Sequence, residues 1–216
     1  TGKNMIAKEG KKIILILFFL TIFSRLVCNI NGLEWLSFVY LISGLFFLFS
    51  LIFFRDPKRN IPAGDNSLVS PADGKIINVE QVNDPDVGKG ILVSVFLNIF
   101  NVHVNRVPVT VLIKKTDYKQ GKFLAAFNHK ASDENEQTII LMESPNGLMK
   151  VKQVAGLIAR RIHCYAQAGK TLLKGDRLGF IMFGSRTDII FPSVYQVQVH
   201  KGQKVTGGET IIAKLD

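Results

Sequence analysis

Cysteine is almost absent from this chain. Cys28 and Cys164 are its only two. They are too few and too far apart for a disulfide framework or a zinc spacing, and their scarcity suits a reducing compartment. Also lacking are a long basic helix, an alternation of aromatic and basic residues, and any finger spacing. The formal net charge of +10 therefore gives no support to a nucleic-acid partner. Beyond residue 60 no stretch signals a strong helix. Outside two apolar runs there is no low-complexity segment, and no strict internal repeat occurs anywhere.

What is present is unevenly spread. Nine of the 16 phenylalanines precede residue 60. Ile13 to Cys28 is apolar except for Thr21, Ser24 and Arg25, and Leu33 to Phe54 carries one charge, Glu34, near its edge. At 1.5 Å per residue the second run is long enough for a hydrocarbon core of roughly 30 Å. The first is shorter, and Arg25 would have to snorkel to the interface. It lacks the small-residue cleavage site of a signal peptide. Lysines precede the first run, while Arg55, Lys58 and Arg59 follow the second; the short connection between the runs has no basic residue. The positive-inside rule then puts both ends in the cytoplasm. A helical hairpin is expected at about 13–28 and 33–54, so that residues 1–60 form a membrane anchor. Each part of the chain carries a net charge of about +5, which makes anionic membrane lipid the natural partner.

Arg55 to Asn66 reads as a linker of proline, glycine and charge. After it the period becomes that of short strands: Gly74 to Val82, Ile91 to Leu97, Val107 to Lys114, Gln137 to Glu143, Leu148 to Val154 and Val194 to His200. Ala155 to Tyr165 is open between strand and helix. The expected fold is mainly β, a barrel- or sandwich-hybrid-like domain over 61–216 with few short helices, behind an amino-terminal transmembrane helical hairpin.

Within Gly175 to Pro192, two apolar runs flank Gly184, Ser185 and three polar residues. A plain turn would use the same residues. The chemistry allows more. Glycine leaves its carbonyl unshielded and tolerates backbone conformations that other residues resist. A neighbouring serine hydroxyl can attack that carbonyl, and elimination then cuts the chain, leaving a pyruvoyl ketone on the new amino terminus. Such a ketone can capture an amine as a Schiff base and accept electrons, as pyridoxal phosphate does.

Three more stretches accompany this junction: SPADGKI from Ser70, FLNIFNVHVNRVP from Phe96 and FNHKASDENEQ from Phe127. In this order, behind an apolar hairpin, the chain resembles the phosphatidylserine decarboxylase proenzymes, and within them the short form. The resemblance implies a self-processing zymogen of phospholipid biosynthesis. It would be cut between Gly184 and Ser185 into a β chain (1–184) and an α chain (185–216) that stay together, with the pyruvoyl cofactor generated from Ser185. The substrate would be phosphatidylserine, and the products phosphatidylethanolamine and carbon dioxide. Asp73 matches the family's aspartate, which orients a histidine in the manner of a triad; alone, Asp73-Gly74 is also a common turn dipeptide. His103 matches a histidine of the family and is the candidate base or proton donor. Arg106 stands where long forms carry a second histidine. It is a candidate for binding the substrate carboxylate or phosphate, or else a solvated strand charge.

No metal is implied, because the carboxylates around His129 have no ligand spacing. His163 and His200 read as ordinary strand or surface residues, and of Arg160 and Arg161 one is expected to face lipid. An exposed sheet edge would allow a homodimer. A rival from another class uses SPADGKI and VHKGQKVTGGETI as the turns of a non-catalytic, membrane-anchored barrel-sandwich hybrid adaptor. It leaves Gly184-Ser185 and the His103 segment without a role.

Overall fold

The structure is a computed structural model that describes residues 5–28, 35–127, 131–157 and 161–215. The chain divides into two compact units, Thr1–Lys58 and Arg59–Asp216. In the first, the apolar runs form helices α1 (Lys11–Val27) and α2 (Leu36–Phe53). Phe18 meets Phe47, and Thr21 approaches Gly44, so the two run antiparallel. Four of their hydroxyls are satisfied within the helices: Thr21 donates to the Leu17 carbonyl, Ser24 to Leu20, Ser43 to Tyr40 and Ser50 to Phe47. That is how a helix carries polar side chains where water is scarce. Phe19, Phe23, Leu45, Phe46 and Leu48 point outward and are exposed. Among the described residues, α2 is the helix long and apolar enough to cross a membrane. The shorter α1, with Lys11, Lys12 and Arg25, is not.

The second unit is mainly β, as expected. Its strands in order are β1 (Ser67–Val69), β2 (Gly74–Asp84), β3 (Gly88–Leu97), β4 (Val104–Arg106), β5 (Val111–Lys119), β6 (Gln137–Ser144) and β7 (Gly147–Val154). Then come β8 (Ile162–Cys164), β9 (Thr171–Leu172), β10 (Arg177–Ile181), β11 (Ser185–Pro192), β12 (Tyr195–Val197), β13 (Lys204–Val205) and β14 (Ile211–Leu215). One helical turn, α3 (Ala131–Glu134), interrupts them. An eight-stranded sheet runs β13-β2-β3-β11-β7-β6-β5-β9, and two three-stranded sheets run β4-β10-β8 and β1-β14-β12. Neighbouring strands pair antiparallel throughout.

The core lies on one face of the large sheet, where Val93, Val95, Ile140, Met149, Val151, Ile189 and Phe191 are closed off from solvent together with Leu178. Strand β11 lies between β3 and β7, with every residue from Ser185 to Phe191 buried. Two expectations shift. The strand expected from Val107 begins at Val111, because Pro108 has no N–H to give a ladder. There Val107 N–H donates to Asp176 O and Gly175 N–H to Val107 O, fixing a loop crossing instead. The Gly-Ser junction is also shorter than its polar sequence suggests. Ser185, Arg186, Thr187 and Asp188 are strand residues, and the turn is confined to residues 182–184.

Candidate active site

The turn between β10 and β11 is held in an unusual conformation. Phe183 and Gly184 have φ of 48° and 59°, and Phe183 is the one non-glycine residue with positive φ among those described. Glycine adopts this region freely, whereas a bulky L-residue is held there at a cost of about 1–3 kcal/mol. Strain is thus placed next to the Gly184–Ser185 peptide bond.

Ser185 opens β11 opposite Leu97 of β3 and is fully buried. Its Oγ makes no hydrogen bond among the described residues. A buried hydroxyl normally finds a partner, and an exception asks for an explanation. The carbonyl of Gly184 is equally confined. It packs against Gly156, just beyond β7, so closely that a Cβ built on Gly156 would overlap the Gly184 oxygen and lie 3.1 Å from its carbon. The site therefore holds a strained peptide, a carbonyl oxygen pressed on a glycine and an unengaged hydroxyl beside it.

His103, immediately before β4, is fully buried. Its carbonyl accepts from Ile181 N–H at 3.3 Å, and its ring centroid is 6.1 Å from that of Phe180. Two residues along β4, Asn105 Nδ2 donates to Thr187 Oγ1 at 3.1 Å, and Gln153 Nε2 donates to Asn105 Oδ1 at 2.7 Å. This buried network ties β4 and β7 to the face of β11 that Ser185 shares, since alternate residues of a strand face the same way. His103 and Ser185 are brought to the same end of the fold by these links and by the short connection from Leu97.

Asp73 and Arg106 are engaged elsewhere. The Asp73 carboxylate accepts from Arg59 at 2.9 and 3.1 Å and from Gly207 N–H at 2.8 Å, with no bond to His103. Arg106 is half-buried, and its guanidinium donates to Gly175 O at 3.0 Å. Its Cδ borders Gly208, which also adjoins Arg59. Asp73 and Arg106 thus share one polar cluster around Gly207 and Gly208. His163 is a half-buried β8 residue opposite Phe180, and His200 is exposed, with Nδ1 beside Lys201 O. Arg161 is exposed and accepts from Met182 N–H at its carbonyl. His129 and Arg160 lie outside the described residues. No group of three His, Cys, Asp or Glu side chains could hold a metal ion among the residues described. Burial pushes the Cys164 thiol up from its ordinary value, against a smaller opposing pull from the Ala166 backbone. A protonated thiol of that kind is a poor nucleophile.

The reverse face of β11 carries a second buried group. Arg186 Nε donates to Asp188 Oδ1 at 2.6 Å and its terminal nitrogen to Ser94 Oγ at 2.8 Å, while Ser132 Oγ donates to Asp188 Oδ2 at 2.6 Å. Apart from Arg186–Asp188, these contacts, and that of Gly156 with Gly184, join residues far apart in sequence, and nothing in the local patterns announces them.

The family model for phosphatidylserine decarboxylase matches residues 46–213. The chain belongs to that family. A phosphatidylserine decarboxylase proenzyme of Ehrlichia ruminantium (strain Gardel) is 44% identical over 215 residues, covering 98% of this chain and 91% of that protein. One from Ralstonia nicotianae is 43% identical, covering 98% and 96%, and one from Wolbachia pipientis wMel is 42% identical, covering 100% and 93%. The family assignment favours the enzyme over the adaptor.

Proposed function

We propose that this chain is a self-processing decarboxylase that converts phosphatidylserine to phosphatidylethanolamine and carbon dioxide. The observation that carries the reading is Ser185 Oγ, buried and without a hydrogen bond directly after the strained Phe183–Gly184 pair. In self-cleavage Ser185 Oγ attacks the Gly184 carbonyl carbon, and the amide C–N bond breaks as the ester C–O bond forms. Removal of the Ser185 α-proton expels the Gly184 carboxylate and leaves a dehydroalanine at residue 185. Its enamine tautomerises, and addition of one water with loss of ammonia leaves the pyruvoyl ketone. The packing of Gly184 O on Gly156 fixes the attacked carbonyl, and the strain at Phe183 is released once the peptide is cut.

The pyruvoyl group supplies an electron-accepting carbonyl for decarboxylation. The residues around Ser185 fit its formation, since the hydroxyl that must be consumed is not committed to any structural bond. His103 is the proposed base in self-cleavage, or the donor that returns a proton to the headgroup carbon after carbon dioxide leaves. Its burial beside Phe180 would keep bulk water from competing. Asp73, held by Arg59 and Gly207, acts as a strap: it ties residues 59 and 73 of the β chain to residue 207 of the α chain, so that the cut halves stay together. Arg106, in the same cluster, is proposed as the anchor of a substrate anion. The apolar α2 and the basic residues flanking the hairpin support attachment to the membrane with the second unit on the cytoplasmic face.

Intact mass under denaturing conditions tests the reading. A fragment of residues 185–216 carrying an amino-terminal pyruvoyl group is expected from the parent chain, and a single uncut species from Ser185→Ala. Turnover of phosphatidylserine by uncut Ser185→Ala would refute it.

A further inference from the structure

Three large apolar side chains are held out to solvent on three separate loops. Phe100 follows β3, Phe127 follows β5 and Leu157 follows β7, each more than 60% exposed. All three loops emerge at one end of β11. Leu97, just before the first loop, pairs with Ser185. The Phe127 ring meets Phe96, the cross-strand partner of Arg186, at 6.0 Å. Leu157 adjoins Gly156, which packs on Gly184. The far end of β11, at Pro192, is roughly 23 Å away at about 3.3 Å per residue. Exposed apolar groups gathered at one place mark an interaction surface.

Beside them is a cavity of about 270 Å³, lined by Phe127, Lys75, Asn78, Arg186 and Lys201. Arg186 is neutralised by Asp188. Lys75 and Lys201 are exposed, and Lys204 stands directly across from Lys75 in the β13–β2 pairing. Like charges directly opposed on neighbouring strands destabilise a sheet, and none of these three lysines makes an ion pair among the described residues. An anion at the cavity would relieve that repulsion.

We propose that this end of the second unit docks on an anionic phospholipid bilayer. Phe100, Phe127 and Leu157 enter the interfacial region, and Lys75, Lys201 and Lys204 hold lipid phosphates at the cavity. Basic side chains near an anionic leaflet strengthen binding by about fivefold each, and apolar side chains add area that water no longer covers. The docked face lies at the end of β11 that begins with Ser185. A lipid headgroup could then enter while its acyl chains stay in the bilayer. The inference rests on the reading that the substrate is a membrane phospholipid.

The chain's single tryptophan, Trp35, makes the test direct. The full-length chain carrying Trp35→Phe and Phe127→Trp is reconstituted into phosphatidylcholine vesicles containing about one-third phosphatidylglycerol, with and without brominated acyl chains. Bromolipid is expected to quench the residue-127 emission at least twofold, and a Phe100→Trp reporter likewise. A Val194→Trp reporter at the far end of β11 should keep its emission. Adding Lys75→Gln, Lys201→Gln and Lys204→Gln should bring quenching at residue 127 down to the level seen at residue 194. Equal quenching at residues 127 and 194, or quenching at 127 that the lysine changes do not alter, overturns the proposal. Carbon dioxide release from a short-chain, water-soluble phosphatidylserine separates the two readings. If the parent chain docks but releases none, the functional reading fails and the docking surface stands. If it turns over the soluble lipid but fails the quenching test, the docking surface fails alone.

Discussion

Gly156→Ala probes the close approach of Gly156 to the Gly184 carbonyl. The added methyl would overlap the Gly184 oxygen and lie 3.1 Å from its carbon and 3.3 Å from Ala126 Cβ. Ordinary non-bonded contact is roughly 3.5 Å, so the carbonyl oxygen must retreat by well over an ångström. Ala126 blocks the methyl's own escape, and the groups that must move are backbone rather than the end of a flexible side chain. Overpacking of this kind costs about 1–3 kcal/mol, a fall in Tm of roughly 2–12 °C for a chain of this size. The effect on processing is expected to be larger. Displacing an attacked carbonyl by about 1 Å from its nucleophile costs roughly 100-fold in rate. The assay is intact mass against time after synthesis, following the 185–216 fragment, alongside a thermal melt. Hydroxylamine supplies the second readout, because it cuts an accumulated ester but not an amide. If misplacement blocks attack, hydroxylamine should not cleave the Gly156→Ala chain at 184–185. A folded Gly156→Ala chain processed at the parental rate would refute the reasoning. One that accumulates a hydroxylamine-labile bond would move the role of Gly156 from attack to elimination.

Asp188→Asn removes the counter-charge of Arg186, which is itself buried. Breaking a buried ion pair by removing one partner costs about 3–5 kcal/mol, so calorimetry should show a Tm lower by more than about 6 °C, with Arg186→Met in the same chain restoring much of it. For the Lys150–Asp84 pair, burial pushes the Asp84 carboxyl up, but hydrogen bonds from Lys150 and from the Asp86 and Val87 backbone outweigh it and hold it below its ordinary value. Its contribution is therefore present above the unfolded carboxylate value of about 3.9 and lost as pH falls through the folded value. Lys150 is raised overall: burial lowers it, but Asp84 and Asp86 more than compensate, so its contribution holds below about pH 10.4 and is lost above. Lys150→Met should flatten both limbs of a Tm-against-pH curve, and unchanged limbs would refute the assignment. Asp73→Asn should leave self-cleavage within about threefold while destabilising the cut protein by about 1–3 kcal/mol, read by release of the 185–216 fragment in mild denaturant. Loss of cleavage with a normal melt would instead give Asp73 a part in the chemistry.

Where local chemistry decided the structure, the sequence was a good guide. The two apolar runs became helices, and strands bracketed by turn residues, such as Gln137–Ser144 and Gly147–Val154, appeared within a residue of expectation. Where partners lie far along the chain it was not. Asp73-Gly74 alone read as a turn, and the triad role came only with the resemblance; the groups that bind the carboxylate are Arg59, fourteen residues before, and Gly207, 134 residues after. Gly156 in VAGL looks like any glycine after a strand until Gly184 O is found against it. The most instructive case is SRTD at 185–188. Four polar residues between apolar runs read as a turn, because a strand in the middle of a sheet is ordinarily apolar. Here each face of β11 supplies its own partners, Asn105 for Thr187 on one side and Ser94 and Ser132 for Arg186 and Asp188 on the other. Buried polar groups are costly only when unmatched. With its neighbours so matched, Ser185 Oγ is the hydroxyl of this strand left without a bond. The matched polar run thus lets a serine begin a central strand, and on the proposed function the hydroxyl that the network leaves without a bond among the described residues is the one that attacks Gly184.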